Sequence, residues 1–242
     1  MLRFLPNGLV KMLANREWLL VADSLPLLAE GAMVTLYLSL GAMAGAVLLG
    51  LILALFRLAK GSVLEKAAKV YVSFFRGTPL LVQLLILYFG LTSFEIILEP
   101  MTAAWLGLTL HFAAYISEIF RATIFAIPKG QWEAALSIGM TYPQILRRII
   151  LPQAFRISIP PLWNSLIDIL KSSSLASVIT VPELTRQVEE QSAAQFVFMP
   201  YFLTLAVFYW VMVVAMSWVQ GWLEKRLDYA GYGKGAEHGQ SK

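Results

Sequence analysis

The sequence lacks cysteine and has few residues of the types that build metal or catalytic centres. Without cysteine, a disulfide framework and thiolate metal sites are excluded. Its 242 residues include only two histidines and no H-E-x-x-H pair, so neither a metal site nor a catalytic centre is expected. A phosphate loop of the form G-x4-G-K-[ST] is also missing, so any nucleotide triphosphate used with this chain is expected on another polypeptide.

Charge is the next scarce property. Only 14% of the residues are charged and 58% are hydrophobic, against about 25% and about 45–50% in soluble domains. A soluble protein of this length could not bury so much apolar surface, so the bilayer is the expected solvent. The formal net charge of +4 indicates lysine and arginine on the cytoplasmic side rather than a nucleic-acid surface, because the basic residues lie between apolar runs.

Five apolar runs approach the roughly 20 residues that a membrane helix needs. The sequence therefore predicts an all-α membrane protein with five spans. The fourth run is weaker because Asp168 and Lys171 fall inside it. The predicted spans are Gly31–Phe56, Val70–Leu91, Met101–Phe120, Ile157–Ile179 and Tyr201–Leu223.

Basic residues orient these spans. Segments 57–69 and 121–156 and the end of the chain are rich in lysine and arginine, whereas 92–100 carries two glutamates and no base. The positive-inside rule then predicts an outer N-terminus and a cytoplasmic C-terminus, although three bases within 1–28 argue mildly the other way. The expected organisation is an amphipathic outer lead-in at 1–28, a membrane domain at 29–225 and a cytoplasmic tail at 226–242.

The connection between the third and fourth runs has helix signals of its own. Gln131–Ile138 is compatible with a helix, and Gly139 can end it in a left-handed conformation. Thr141 and Gln144 form a capping-box pattern that begins a second helix. This construction predicts a pair of short cytoplasmic helices that dock on a partner.

The same connection carries a family signature. Glu133-Ala134-Ala135, Gly139, Ile149, Leu151 and Pro152 match E-A-A-x3-G-x9-I-x-L-P at every specified position. The chain resembles the permeases of ATP-binding-cassette importers and, more closely, the polar amino-acid permeases. Further stretches similar to that family are Arg76–Leu81 (R-G-T-P-L-L), Ala113–Glu118, Ile127–Trp132, Ser174–Ala176 and Val181–Leu184.

The resemblance implies a coupling helix that docks on a separate nucleotide-binding subunit. Its expected residues are Trp132, Glu133, Ala134, Ala135 and Gly139. Small alanines allow close approach and Trp132 offers an apolar anchor, while Glu133 either pairs with a basic groove or caps its own helix. The chain itself would hold no cofactor, since ATP and Mg belong to the partner. Further expected partners are a periplasmic or lipid-anchored solute-binding protein, a second permease copy (identical or not) and membrane lipid.

Polar residues inside the spans predict a solute pathway, because ionisable groups in hydrocarbon usually face a cavity or a partner. The candidates lie at helical spacing and are Arg76, Gln83, Tyr115, Glu118, Asn164 and Asp168. Two alternatives stay open: Arg76 and Glu118 could form a structural ion pair, and Lys171 could snorkel to the outer interface. His111 is read as a packing residue.

One departure from the family pattern concerns an acid. Where relatives read K-D-T-S-L, this chain has Lys171-Ser172-Ser173-Ser174-Leu175, and Asp168 stands on the same helix face. The acid is thereby displaced by one helical turn, about 5.4 Å, from its place in the family pattern.

The predicted function is import of a polar amino acid across the inner membrane, with no catalytic residue in this chain. The alternative function is an ion-driven secondary transporter, whose in-membrane acids would bind protons or sodium. A membrane-embedded enzyme is less well supported, because no nucleophile–base spacing is present.

Overall fold

The computed structural model describes the backbone of residues 7–59 and 61–226 and the side chains from Arg16 onward. Within those ranges every regular element is helical, which confirms the all-α class. Of the tail expected at 226–242, only Arg226 lies among the described residues. The α-helices of the described part are α1 (Asn7–Leu58), α2 (Val63–Gly77), α3 (Leu80–Leu85), α4 (Pro100–Ala126), α5 (Lys129–Ser137), α6 (Tyr142–Ile145), α7 (Leu151–Ser172), α8 (Leu184–Gln195) and α9 (Met199–Arg226).

Helices long and apolar enough to cross a membrane number three in the described chain, or four if one broken pair counts as a span. The three are α1 from Arg16 onward, α4 and α9. The broken pair consists of α2 and the segment Leu80–Phe94, which meet at an angle of 105°. The fourth predicted span, Ile157–Ile179, corresponds to α7, which begins at Leu151 and ends at Ser172 rather than Ile179. Length and hydropathy alone do not identify α7, whose sequence includes Arg156, Asp168 and Lys171.

The first helix is longer than the sequence suggests. It runs from Asn7 to Leu58 and continues past Pro26. The boundary expected between residues 28 and 29 therefore falls inside one helix. An internal proline removes one backbone hydrogen bond, and the adjoining turns of α1 nevertheless remain helical.

The second predicted span, Val70–Leu91, is wrong as a continuous helix, because the chain breaks at Gly77-Thr78-Pro79. Pro79 has extended backbone angles (φ −62°, ψ 137°), and a residue before proline is biased away from the helical region. The buried Gln83 side chain holds the break: its Nε2 donates to the Thr78 carbonyl at 3.1 Å and hydroxyl at 2.7 Å.

The chain divides into two compact units, each assembled from three described stretches. In the first unit, Leu28, Leu184 and Tyr201 belong to one buried apolar cluster. A Cβ at Gly31 would lie 3.0 Å from the Leu184 Cα atom, so glycine permits this close backbone approach. The described residues of the first unit fall within 1–44, 78–109 and 168–212, and those of the second within 45–77, 110–167 and 213–242.

The second unit has its own apolar core, formed by residues from α4 to α7. Its buried members are Ile124, Ile127, Ala135, Ile145, Ile150 and Ala154. Burial of such side chains contributes about 25 cal/mol per Å² of apolar surface removed from the surrounding water. This core holds the connection that carries the E-A-A signature.

Two short segments have the wider π-helical hydrogen-bond pattern. Ile86–Gly90 follows α3, and Leu146–Ile150 follows α6. The second of these joins α6 to α7, so helical structure continues from Tyr142 to Ser172. The sequence predicted a short second helix at this position, and the structure instead shows the start of a long one.

Candidate functional site

The corner between α5 and α6 is closed by Gly139, as the sequence predicted. Gly139 has φ +77°, and a Cβ there would meet nothing within 4 Å, so conformation rather than space requires glycine. The Gly139 N–H donates to the Leu136 carbonyl at 2.9 Å, and the Met140 N–H donates to the Ala135 carbonyl at 3.1 Å. These two bonds form a Schellman motif, which satisfies carbonyls at the end of α5.

The start of α6 also follows the prediction. The Thr141 N–H donates to the Gln144 Oε1 atom at 2.9 Å, and a proline occupies the first turn. The capping box is thereby confirmed. Two satisfied helix ends on either side of Gly139 give the corner a defined geometry.

The side chains of α5 divide into an inner and an outer set. Ala135 is buried, and Trp132 is half-buried with its ring stacked on Tyr142 at 5.3 Å. Trp132 therefore packs across the corner against the start of α6, with part of its side chain still exposed. Leu136 and Ile138 are instead the large apolar side chains facing outward, at 57% and 77% exposure.

Glu133 and Ala134 share that outer surface. Both are exposed, and the Glu133 carbonyl accepts a hydrogen bond from the Ser137 hydroxyl at 2.9 Å. The outer surface of the α5–α6 corner thus combines a carboxylate, a small residue and two large apolar side chains. We call Glu133, Ala134, Leu136 and Ile138 the corner surface.

A cluster of three arginines around Glu118 lies in the same unit. Arg57 Nη1 contacts Glu118 Oε1 at 2.6 Å, Arg121 Nε contacts Oε2 at 2.9 Å, and Arg76 Nη1 contacts Oε1 at 3.4 Å. The Arg76–Glu118 ion pair is present, but Arg57 and Arg121 hold the carboxylate more closely. Sequence reasoning missed Arg57, whose side chain is only 12% exposed.

The cluster has one open side. Arg76 is 45% exposed in its side chain, and its guanidinium lies 5.3 Å from the centre of the Tyr115 ring. His111 packs 5.2 Å from the same ring, consistent with its reading as a packing residue. Three arginines facing one carboxylate leave a local excess of positive charge beside an aromatic ring.

The other candidate pathway residues make separate contacts. Gln83 bonds to Thr78, as described above. Asn164 Oδ1 accepts from Gln220 Nε2 at 3.3 Å. Asp168 pairs with Lys171 at 2.8 Å, and both side chains are more than half exposed.

Glu183 is a buried carboxylate that sequence reasoning did not single out. It caps α8 by accepting from the backbone N–H groups of Thr185 and Arg186, both at 2.9 Å. The hydroxyls of Tyr209 at 3.2 Å and Thr35 at 3.4 Å also donate to it. Burial raises the pKa of Glu183 above its usual range, while the hydrogen bonds act in the opposite direction. Its position before a polar helix was the available signal.

Comparisons with known proteins fit these features. Residues 46–229 match the family model described as binding-protein-dependent transport system inner membrane component. The chain is 43% identical over 211 residues to the probable amino-acid ABC transporter permease protein PatM of Vibrio harveyi, covering 86% of this chain and 95% of that protein. It is 44% identical to the L-cystine transport system permease protein TcyB of Bacillus subtilis, covering 87% and 91%. A crystal structure of an amino acid ABC transporter with histidines superposes with a TM-score of 0.82 at 36% identity, covering 85% and 96%.

Proposed function

The chain belongs to the family of binding-protein-dependent transport system inner membrane components and is a permease subunit of an ATP-binding-cassette importer, and we propose that it carries a polar amino acid. ATP and Mg would bind to a separate nucleotide-binding subunit. The other partners we propose are an external or lipid-anchored solute-binding protein and a second permease copy. The names of the relatives, which include cystine and glutamine permeases, support an amino acid as the solute.

The corner surface is the observation that best supports coupling to an ATPase. It presents Leu136 and Ile138 to the outside on a corner fixed at both helix ends. Exposed apolar side chains in a rigid frame are typical of a docking interface. Glu133, exposed beside them, can pair with a basic residue of the partner.

The decisive experiment is reconstitution in proteoliposomes. The chain, its nucleotide-binding subunit and its solute-binding protein are purified, and uptake of labelled amino acids is followed. We expect uptake only with enclosed ATP and with sensitivity to vanadate. Uptake driven by a proton or sodium gradient without the ATPase would instead support the secondary transporter.

We propose that Arg76, Tyr115 and Glu118 contact the solute, and separately that Asp168 does so. The first three lie in one cluster whose open side carries an arginine and an aromatic ring. An arginine can bind a carboxylate and an acid can bind an ammonium. Gln83 has less support because it is buried at the helix break.

The orientation we propose places the N-terminus outside and the C-terminus in the cytoplasm. A fusion after Gly130, beside the E-A-A signature, is expected to place its reporter in the cytoplasm, so that the fluorescent protein fluoresces and the phosphatase is inactive. A fusion after Glu95, in the acidic connection before α4, is expected to place its reporter outside, so that the phosphatase is active and the fluorescent protein is dark. Paired alkaline phosphatase and fluorescent-protein fusions measure this, and reversal at either site would contradict the orientation.

Asp168→Asn is expected to spare assembly and to raise the half-saturation for solute by about tenfold or more, because a hydrogen bond to a charged group is lost. The ion pair to Lys171 is exposed, at 58% and 55%, and exposed pairs contribute little to stability. The readout is solute-dependent ATP hydrolysis by the purified complex.

The control for this prediction is Glu190→Gln. Glu190 forms a comparable exposed pair with Arg186 at 2.6 Å in the same unit. That change should leave solute dependence unaltered. An Asp168→Asn complex with wild-type solute dependence would show that Asp168 has no binding role.

A further inference from the structure

The last helix packs against the rest of the described chain along one side only and leaves its other side exposed. None of the residues in the most apolar 18-residue stretch of α9 is buried, whereas 67% of the corresponding stretch of α4 is buried. The exposed face of its second half includes Trp218 at 79% and Trp222 at 54%. This face is therefore available to lipid or to another protein.

The residue types on this face favour lipid. Helices that pack against one another in membranes use small residues, which let the backbones approach. Along one exposed side, α9 carries Val207, Val211, Ala215, Trp218 and Trp222 at steps of three or four residues. Ala215 is the one small residue in this row, and the larger side chains on either side of it keep a neighbouring helix at a distance and suit contact with acyl chains.

The end of α9 adds positive charge to the aromatic surface. Lys225 and Arg226 lie in the last turn, both exposed. The Arg226 guanidinium lies 4.5 Å from the centre of the Trp222 ring. A Cβ at Gly221 would meet nothing within 4 Å, so the helix surface at this position, next to Trp222, is open.

The acid of this turn faces a different partner. Glu224 accepts a hydrogen bond from Gln220 Nε2 at 3.0 Å.

Tryptophan is enriched at the membrane–water interface, where its ring lies at the level of the headgroups. Lysine and arginine at that depth attract anionic lipids.

We propose that Trp218, Trp222, Lys225 and Arg226 form a binding site for an anionic phospholipid. The phosphate of the lipid contacts the guanidinium and the ammonium group, while the two indole rings border its glycerol and upper acyl region. The site sits in the leaflet where α9 ends. It is independent of the transported solute.

The test uses the full chain in lipid nanodiscs with trace spin-labelled phosphatidylglycerol or phosphatidylcholine. The fraction of immobilised label gives the selectivity of the protein surface for the anionic lipid. We expect a preference for phosphatidylglycerol in the wild-type chain and a loss of about fivefold in that preference in Arg226→Gln. Both lipids have the same acyl chains, so the headgroup is the only variable.

Lys69→Gln is the matched control. Lys69 is 57% exposed and pairs with Glu65 at 2.6 Å, so the variant removes one positive charge from an exposed site elsewhere. It should retain the wild-type preference. An equal loss in Lys69→Gln, or no preference in the wild type, would overturn the proposal because the attraction would then be diffuse or absent.

A second measurement tests whether another copy of the chain covers the face. The sequence has no cysteine, so Val211→Cys introduces a single thiol on this face. In oxidised native membranes we expect no disulfide-linked dimer. Efficient dimer formation would assign the face to a second copy and overturn the lipid site.

Discussion

Replacing Gly139 with valine is expected to abolish ATP hydrolysis stimulated by the solute-binding protein while the membrane helices remain inserted. Gly139 has φ +77°, a conformation that costs an L-residue roughly 1–2 kcal/mol and a β-branched residue more. That cost lowers the ratio of the observed corner to its alternative conformations roughly 5- to 30-fold. The readout is stimulated ATP hydrolysis by the complex, alongside the amount of permease in the membrane.

Gly61 provides a matched control for this effect. It has φ +78°, and a Cβ there would also meet nothing within 4 Å, but it lies between α1 and α2. Gly61→Val imposes similar backbone strain and should leave stimulation largely intact. Gly139→Asn should restore part of the coupling, since asparagine tolerates the left-handed region. Equal stimulation in Gly139→Val and the wild type would show that the corner has no coupling role.

Replacing Glu118 with alanine is expected to cause the largest loss of folded complex. The change leaves Arg57, Arg76 and Arg121 facing one another without a carboxylate. Removing one partner of a buried ion pair costs about 3–5 kcal/mol, and the 24% exposure of Glu118 points to the lower end. The measurements are the yield of purified complex and its thermal midpoint.

Two further variants separate the contributions of the arginines. Arg76→Gln removes the longest of the three contacts, the 3.4 Å contact between Arg76 Nη1 and Glu118 Oε1. Because the Arg76 side chain is 45% exposed, this change should alter the stability little. Arg57→Met in the Glu118→Ala background should recover stability, because it removes the buried unpaired charge. Additive losses in that double variant would contradict the central role of the Arg57–Glu118 pair.

The local features of the coupling corner could be predicted because they depend on neighbours in sequence. Gly139 and the Thr141–Gln144 box are determined by residues within a few positions, and the structure confirms both. The orientation of Trp132 could not be predicted in the same way. Its ring is held by Tyr142, ten positions along the chain and beyond the Gly139 turn.

The arginine cluster shows the limit set by distance along the chain. Glu118 and Arg76 stood out as charges within apolar runs, whereas Arg57 looked like an ordinary basic residue at the end of a span. Its bond to Glu118 joins positions 61 residues apart, and nothing in the local pattern predicts such a contact. Glu183 was overlooked for the related reason that its burial depends on Thr35 and Tyr209.

The break in the second predicted span was missed although its signal was present. Gly77-Thr78-Pro79 contains the two residues that most often interrupt helices, but the run of apolar residues on both sides of it suggested continuity. Hydropathy shows whether a segment is apolar enough for the bilayer, but it does not show whether its helix is straight or bent. The helix break is therefore a property of three residues inside an otherwise uniform apolar stretch.

The π-helical segment Leu146–Ile150 makes the helical stretch from Tyr142 to Ser172 slightly shorter than the same residues would be as a continuous α-helix. A π-turn holds one residue more than the α-turn that would replace it. If the segment adopted the α form, the residues after it would rotate by about 100° and advance by about 1.5 Å relative to those before it. The E-A-A signature ends within and just after this segment, at Ile149, Leu151 and Pro152. An α form of Leu146–Ile150 would therefore place α7 in a second register relative to the coupling corner, one residue from the observed one.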